Sequence, residues 1–453
     1  MRFPDGFVWG VAAAAYQIEG GAQADGRGES VWDRFCRRPG AIWEGHTGDV
    51  ACDHYHRYRE DVGLMEMLGI QAYRFSIGWP RVLPNGVGAV NQAGLDFYDR
   101  LVDRLLEAGI TPYATLFHWD FPYALYCRGG WLNPDSPQWF AEYAEAVVRR
   151  LGDRVKHWMP INEPAVVMIL GHYQGTHAPG DKLQLSQVLQ INHHMLLAHG
   201  RAVQAIRAAC PASVVGVAPS SAVGVPISDR PADQEAARCY SFSVSPADLW
   251  SNVTWLDPVF LGRYSEQMQT ALAPHMPQVG PGDMELIAQP LDFLGVNIYS
   301  AALIRATADG RPEIVTPAAG HPTTNFGWYV IPEALYWGPR FLHERYGAPV
   351  VITENGMACA DWRAGDGRVR DPQRIDFLQR YLSELGRAIA DGVDVRGYFQ
   401  WSIMDNFEWH EGYRQRFGLI HVDYATQRRT PKDSAYWYRD LIRSNGAVLG
   451  LEA

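Results

Sequence analysis

Val155-Lys156-His157-Trp158-Met159-Pro160-Ile161-Asn162-Glu163-Pro164 is a β-forming, largely apolar run that stops on Asn and Glu. Far along the chain, Pro349-Val350-Val351-Ile352-Thr353-Glu354-Asn355-Gly356 follows the same grammar. A short apolar run bounded by Pro, Gly or polar residues reads as a strand buried on both faces. A lone Glu at such an end commonly caps a loop or pairs with a surface Arg. Two of them, with little charge around either, supply what a two-carboxylate bond-cleaving site needs. Only tertiary folding brings them together.

Outward from these stretches the pattern recurs. Apolar strand-like runs are expected at 7–12, 72–76, 111–117, 155–161, 214–218, 293–296, 349–353 and 395–401. Between several of them, apolar residues return at helical spacing, as in Val62, Met65 and Leu68, or Tyr98, Leu101, Val102, Leu105 and Leu106. Further helices are expected from Trp139 to Leu151, around 194–209 and around 375–389. Eight buried strands separated by helices predict an α/β fold: a parallel sheet closed into a single (β/α)8 TIM barrel with long βα loops. With no linker or composition shift, residues 1–453 are expected to form one catalytic domain, and 25–57, 220–290 and 300–345 to be its long loops. An open doubly wound sheet would want a Gly-rich phosphate turn after an early strand. None is present.

Composition narrows the partners. The 453 residues are 47% hydrophobic and 20% charged, an ordinary globular balance, with 16 Trp and 22 Tyr. The formal charge of −10 argues against nucleic acid, whose binders need a basic footprint. No apolar stretch reaches membrane-spanning length. Met1-Arg2-Phe3-Pro4-Asp5-Gly6 carries no signal-peptide pattern, so a cytoplasmic protein with six reduced cysteines is expected. On the same grounds the Asn252-Val253-Thr254 sequon is a chance match. His54/His56 and His193/His194 lack a carboxylate partner at ligand spacing, so no metal or cofactor is expected. A small-molecule substrate is the expected partner, and the oligomeric state is left open.

In a barrel of this kind the chemistry sits at the C-terminal ends of the strands. Those ends supply Gln17, Arg74, His118, Trp119, Asn162, Glu163, Asn297, Tyr299, Glu354 and Trp401, with Glu408 and Trp409 following strand eight. Paired donors and acceptors suit sugar hydroxyls, and indoles suit the apolar face of a pyranose.

These stretches carry a resemblance. Phe7-Val8-Trp9-Gly10, Tyr16-Gln17-Ile18-Glu19-Gly20, Tyr73-Arg74-Phe75-Ser76-Ile77-Gly78-Trp79, His118-Trp119-Asp120, Asn162-Glu163-Pro164, Gly175-Thr176-His177-Ala178-Pro179-Gly180, Asp292-Phe293-Leu294-Gly295-Val296-Asn297, Ile352-Thr353-Glu354-Asn355-Gly356 and Asp405-Asn406-Phe407-Glu408-Trp409 stand in one order along the whole chain. The chain resembles glycoside hydrolase family 1, the β-glucosidase family. The resemblance implies a retaining double displacement on terminal β-D-glucosyl residues of cello-oligosaccharides and aryl or alkyl glucosides, with galactosidase or fucosidase activity besides. It makes Glu354 the nucleophile and Glu163 the acid/base, with their carboxyl groups about 5–5.5 Å apart. Arg74 and Tyr299 match the groups that hold Glu354 ionised. Gln17, His118, Asn162, Glu408 and Trp409 match sugar-binding positions, and Asn297 belongs to the same motif set. Trp401 matches the platform under the sugar, with Trp119 expected beside it. Trp328 falls where the family places an aromatic for the leaving group.

The chain departs from the family at Pro160, where Thr is usual, and at Ile298 and His410. The Pro160 nitrogen is therefore expected where the strand ladder needs no donor. Two other readings compete. Family members that cleave 6-phospho-β-glucosides carry Ser in place of Glu408, and a carboxylate there repels phosphate. A catalytically silent sugar-binding protein of the same fold would not need both Glu163 and Glu354, with Arg74 and Tyr299 beside the latter.

Overall fold

The computed structural model describes residues 2–450. Eight parallel strands close into a barrel: β1 (Val8–Ala12), β2 (Ala72–Ser76), β3 (Thr111–Phe117), β4 (His157–Ile161), β5 (Val214–Val217), β6 (Phe293–Asn297), β7 (Val350–Asn355) and β8 (Val395–Trp401). Each strand pairs with its sequence neighbours, and the ring shuts where β1 lies between β2 and β8, with Gly10 opposite Ala72 and Val8 opposite Gly397. The expected strand positions stand, with shifts of one or two residues at some ends.

Helices α1 (His54–Met67), α2 (Gln92–Glu107), α3 (Ser136–Leu151), α4 (Leu185–Ala209), α5 (Ala334–Tyr346), α6 (Pro372–Ala390) and α7 (Asp433–Arg443) are the longer ones around the barrel. Their buried stripes are those of the sequence pattern; on α2 these include Leu95, Tyr98, Leu101, Val102 and Leu105. All three expected loops are richer than read, and 25–57 contains the helix Val31–Cys36. The 300–345 stretch contains most of α5, whose helical period is masked by an interior Pro339. Gly224–Pro226, Ala302–Ala306 and Pro312–Val315 form a small separate sheet, and Pro231–Ser241 is a helix. No helix among the described residues is long and apolar enough to cross a membrane.

Alternation along the strands explains the barrel interior. Ala72, Tyr113, Met159, Phe293, Val351 and Phe399 form an inner core distinct from the large one between strands and helices. With a side-chain period of two, the next inward positions toward the C-terminal mouth are Arg74, Thr115, Thr353 and Trp401. Glycine makes room for the inner aromatics: a Cβ at Gly10 or Gly216 would lie 2.4 Å from the Phe399 or Phe293 ring. The mouth is thus polar and the floor apolar.

Other features absorb the remaining sequence signals. All six cysteines are unpaired. Asn252 of the sequon is buried, with its amide donating to Ala222 O and Ser241 O, so it serves the fold. His54 binds Asp61, while His193 binds Tyr264 and Asp283, which accounts for the two histidine clusters structurally.

Candidate active site

The barrel mouth holds a cavity of about 420 Å3 whose lining includes Glu163, Glu354, Asn297, Tyr299, Trp401 and Glu408. The local backbone is shaped for it. Glu163 follows β4 in the left-handed region (φ 43°), with its N–H bonded to Ala218 O at 2.9 Å. Trp119 (φ 79°) and Trp409 (φ 52°) are left-handed too. Bulky side chains rarely adopt such φ values, and residues held there by their surroundings gather at functional sites. On β7 the register with β6 slips: Ile352 faces Val296, yet Glu354 faces Asn297. This bulge re-aims the last residues of the strand.

Arg74, fully buried on β2, organises the cluster. Its Nη1 donates to Glu354 Oε1 at 2.5 Å and Thr353 O at 3.1 Å; Nη2 donates to Asn162 Oδ1 at 2.5 Å, and Nε to Thr115 Oγ1 at 3.2 Å. Tyr299 donates its hydroxyl to Glu354 Oε2 at 2.7 Å. Both Glu354 oxygens therefore accept strong donors. Glu163 has one amide: Asn297 Nδ2 donates to its Oε1 at 2.9 Å, and Asn297 Oδ1 is fixed by the Thr353 hydroxyl at 2.7 Å.

These partners set two different acidities. Burial pushes Glu163 up to about 8, the Glu354 charge adding to the effect. Burial also raises Glu354, but the Arg74 charge and the bonds from Tyr299 and Arg74 act against it. The donors to Glu354 thus favour its ionised form, and its charge favours the acid form of Glu163. One carboxylic acid beside one carboxylate is the arrangement that results.

The other expected residues line the same mouth. Gln17 Nε2 donates to Phe407 O at 2.9 Å, Asn406 Oδ1 at 3.0 Å and Glu408 Oε2 at 3.3 Å, while its Oε1 is buried without a partner. Burial, with the Glu354 charge, raises Glu408 to about 8. His118 Nε2 lies 3.0 Å from Asn162 Nδ2. Since Asn162 Oδ1 already accepts from Arg74, its Nδ2 donates, so His118 carries its proton on Nδ1. Burial and the nearby Arg74 keep that imidazole neutral. The His118 ring, and not Trp119, stacks on Trp401, 5.7 Å between centroids. Trp119 packs on Trp409 at 4.5 Å and donates Nε1–H to Asn162 O. Trp119, expected beside Trp401, lines the same cavity, its indole packed on Trp409. Trp328 lines the cavity, 5.2 Å from Tyr299 and 4.4 Å from Phe326.

Sequence reading missed Thr115 and Thr353, although counting two residues on from inward Tyr113 and Val351 finds both. It also missed Leu170, Trp250 and Phe326 on the cavity wall. They come from segments with no period to read.

Comparisons with known proteins agree with this geometry. The matching family is described as Glycosyl hydrolase family 1, over residues 1–447. Beta-glucosidase A of Thermotoga maritima is 44% identical over 447 residues, covering 98% of each chain. A bifunctional beta-D-glucosidase/beta-D-fucosidase of Bifidobacterium breve is 43% identical, covering 99% of each. Among solved structures, the Thermotoga maritima beta-glucosidase in complex with glucoimidazole superposes with a TM-score of 0.90 at 44% identity, covering 98% of this chain and 99% of that one.

Proposed function

The chain belongs to glycosyl hydrolase family 1, and from that premise we propose that it is a retaining β-glucosidase in which Glu354 attacks and Glu163 transfers the proton. The observation that carries this reading is the inequality of the two buried carboxyls. Glu354 is held by donors from Arg74 and Tyr299, while burial and the Glu354 charge favour the acid form of Glu163.

In the first displacement a Glu354 oxygen forms a bond to the anomeric carbon while the glycosidic C–O bond breaks. Glu163 gives its proton to the departing oxygen. Once Glu354 is esterified its charge is gone, and the acidity of Glu163 rises. Glu163, now a carboxylate, takes a proton from water as the water oxygen attacks the anomeric carbon. Glu354 leaves as a carboxylate and Glu163 is reprotonated. Two inversions give net retention.

Gln17, His118, Asn162, Asn297, Glu408 and Trp409 bind the glucosyl unit over Trp401. An Asn162 hydrogen bond to the 2-hydroxyl tightens in the transition state and so adds rate. Trp119 supports this wall, and Trp328 faces the leaving group. Aryl and alkyl β-glucosides and cello-oligosaccharides are the substrates, and fucosides differ from them by little in such a site. Residues 1–453 act as one catalytic domain, since closure of the barrel uses strands from Val8 to Trp401. The unpaired cysteines favour a reducing, cytoplasmic setting.

Proton NMR of nitrophenyl β-D-glucoside hydrolysis tests the mechanism. β-Glucose should appear first and then mutarotate; α-glucose appearing first overturns it. Glu354→Gly should lower kcat by roughly a thousandfold or more. Retention of a tenth of the turnover would reject Glu354 as nucleophile.

A further inference from the structure

Two imidazoles line the cavity without a part in the chemistry above, His177 and the unusual His410. His410 is the middle residue of the 3-10 turn Trp409–Glu411, directly after Glu408. The turn is closed by Glu408 N–H to Gly412 O at 2.7 Å, Glu411 N–H to Glu408 O at 2.9 Å and Gly412 N–H to Trp409 O at 3.0 Å. Moving its centre therefore moves Glu408. One flank is pinned: Tyr413 N–H donates to His46 Nδ1, and Gly412 lies so close to that ring that a Cβ would meet Nδ1 at 2.5 Å. On the opposite flank stands His410, with Nδ1 2.9 Å from His177 Nε2. His177 is itself buried between Trp32 and Trp119, at 5.3 and 5.8 Å between centroids.

The surroundings fix the direction of this bond. Burial raises the Glu411 pKa, but hydrogen bonds from Arg414 and Gln415 more than offset it and hold the group below the usual carboxylate value. Its Oε1 lies 3.1 Å from His410 Nε2. The nearby Glu411 charge favours the His410 proton on Nε2, which leaves Nδ1 as the lone pair. His177 must then donate through Nε2–H, leaving its own Nδ1 bare. That atom is indeed buried with no partner. Protonating His410 would push a hydrogen onto His177 Nδ1, where nothing accepts it. Burial keeps both rings neutral.

We propose that His410 is a positioning residue for glycoside binding: the bond from His177 Nε2–H to its Nδ1 latches the Glu408–Trp409 turn to the 175–180 segment and fixes where the Glu408 carboxyl group meets the sugar. The role of Glu408 in this statement rests on the β-glucosidase reading. His410 touches no reacting atom, so its loss acts on binding first.

Steady-state kinetics with nitrophenyl β-D-glucoside test it in wild type, His410→Ala, His177→Phe, the double variant and His410→Asn. His410→Ala should raise KM about fivefold and change kcat by less than about twofold, the size of one lost neutral hydrogen bond. His177→Phe should do the same, and the double variant should be no worse than either single change. His410→Asn, which keeps an acceptor, should return KM to within about twofold of wild type. An unchanged KM in His410→Ala, a parallel fall in kcat and kcat/KM, additive singles, or an Asn variant like the Ala one each overturn the latch. If wild type fails to release nitrophenol, the glycosidase reading fails separately. Thermal melting of the same set then decides the latch: non-additive shifts support it and additive shifts reject it.

Discussion

Glu163 and Glu354 are the same side chain placed among different partners, and the proposed mechanism gives them opposite tasks. Glu163 receives one neutral amide and is pushed up to about 8, first by burial and then by the Glu354 charge. In the proposed mechanism its acid form is the active one in the first step, so kcat/KM should fall as pH rises through that value. Glu163→Ala should cost cellobiose hydrolysis far more than dinitrophenyl glucoside hydrolysis, because a good leaving group needs no proton. Equal losses on both would reject the acid role. The same shift has a stability consequence. Between the ordinary value of 4.5 and about 8 the folded protein holds a proton that the unfolded chain has released. Stability therefore declines with rising pH across that window. Glu163→Gln, which stays neutral, should melt close to wild type at pH 4 and progressively above it from pH 5 to about 8, with a constant gap beyond. Glu408, also raised to about 8, contributes in the same sense. A melting difference independent of pH would refute the shift.

At the level of the element, β4 and β7 show what a sequence does and does not disclose. Buried parallel strands announce themselves by composition, so β2, β3 and β8 stand where the pattern puts them. The carboxylates were legible because a charged residue ending an apolar run has few structural reasons to be there. The bulge that turns Glu354 was not legible, since an extra residue on one strand shows only against its partners. Helix α5 was hidden by Pro339, and the leaving-group wall by segments without a period. Pro160 illustrates the opposite case. The β3–β4 register skips from Met159 opposite Thr115 to Ile161 opposite Phe117, and β4 meets β5 at Trp158 and again only at Asn162. Pro160 lies in both gaps, where the ladder carries no bond from its nitrogen. Pro160→Thr should leave kcat/KM unchanged and lower stability by about 0.4–1 kcal/mol, through the freer unfolded chain. Urea denaturation measures the second quantity. A loss of activity would mean that the ring itself holds Asn162 and Glu163 in place.

The proposed sugar site is a property of the whole chain. Gln17, after β1, reaches Asn406 and Glu408, after β8, so this cluster exists only once the first and last strands have met. The segment carrying Glu408 is anchored from behind by a buried ionic network. Lys432 Nζ lies 2.6 Å from both Asp405 Oδ1 and Asp361 Oδ2, Arg416 Nη1 is 2.6 Å from Asp405 Oδ2, and Arg374 Nη2 is 2.6 Å from Asp361 Oδ2. This joins the stretches after β7 and β8 to the start of α7, and Asp405 immediately precedes Asn406. Removing one partner leaves a buried carboxylate short of its counter-charge, which is far costlier than losing a surface pair. Lys432→Met should therefore destabilise the protein by about 3–5 kcal/mol in urea denaturation. Burial alone would raise Asp405, but the charges of Lys432 and Arg416 hold it below its ordinary 3.8. A depressed carboxyl contributes stability above its unfolded value and loses it as pH falls through the folded one. The gap between wild type and variant should thus be full at neutral pH and narrow below pH 3.8. A cost within about 0.5 kcal/mol, as for an exposed substitution, would show that the network does not anchor the Glu408 segment.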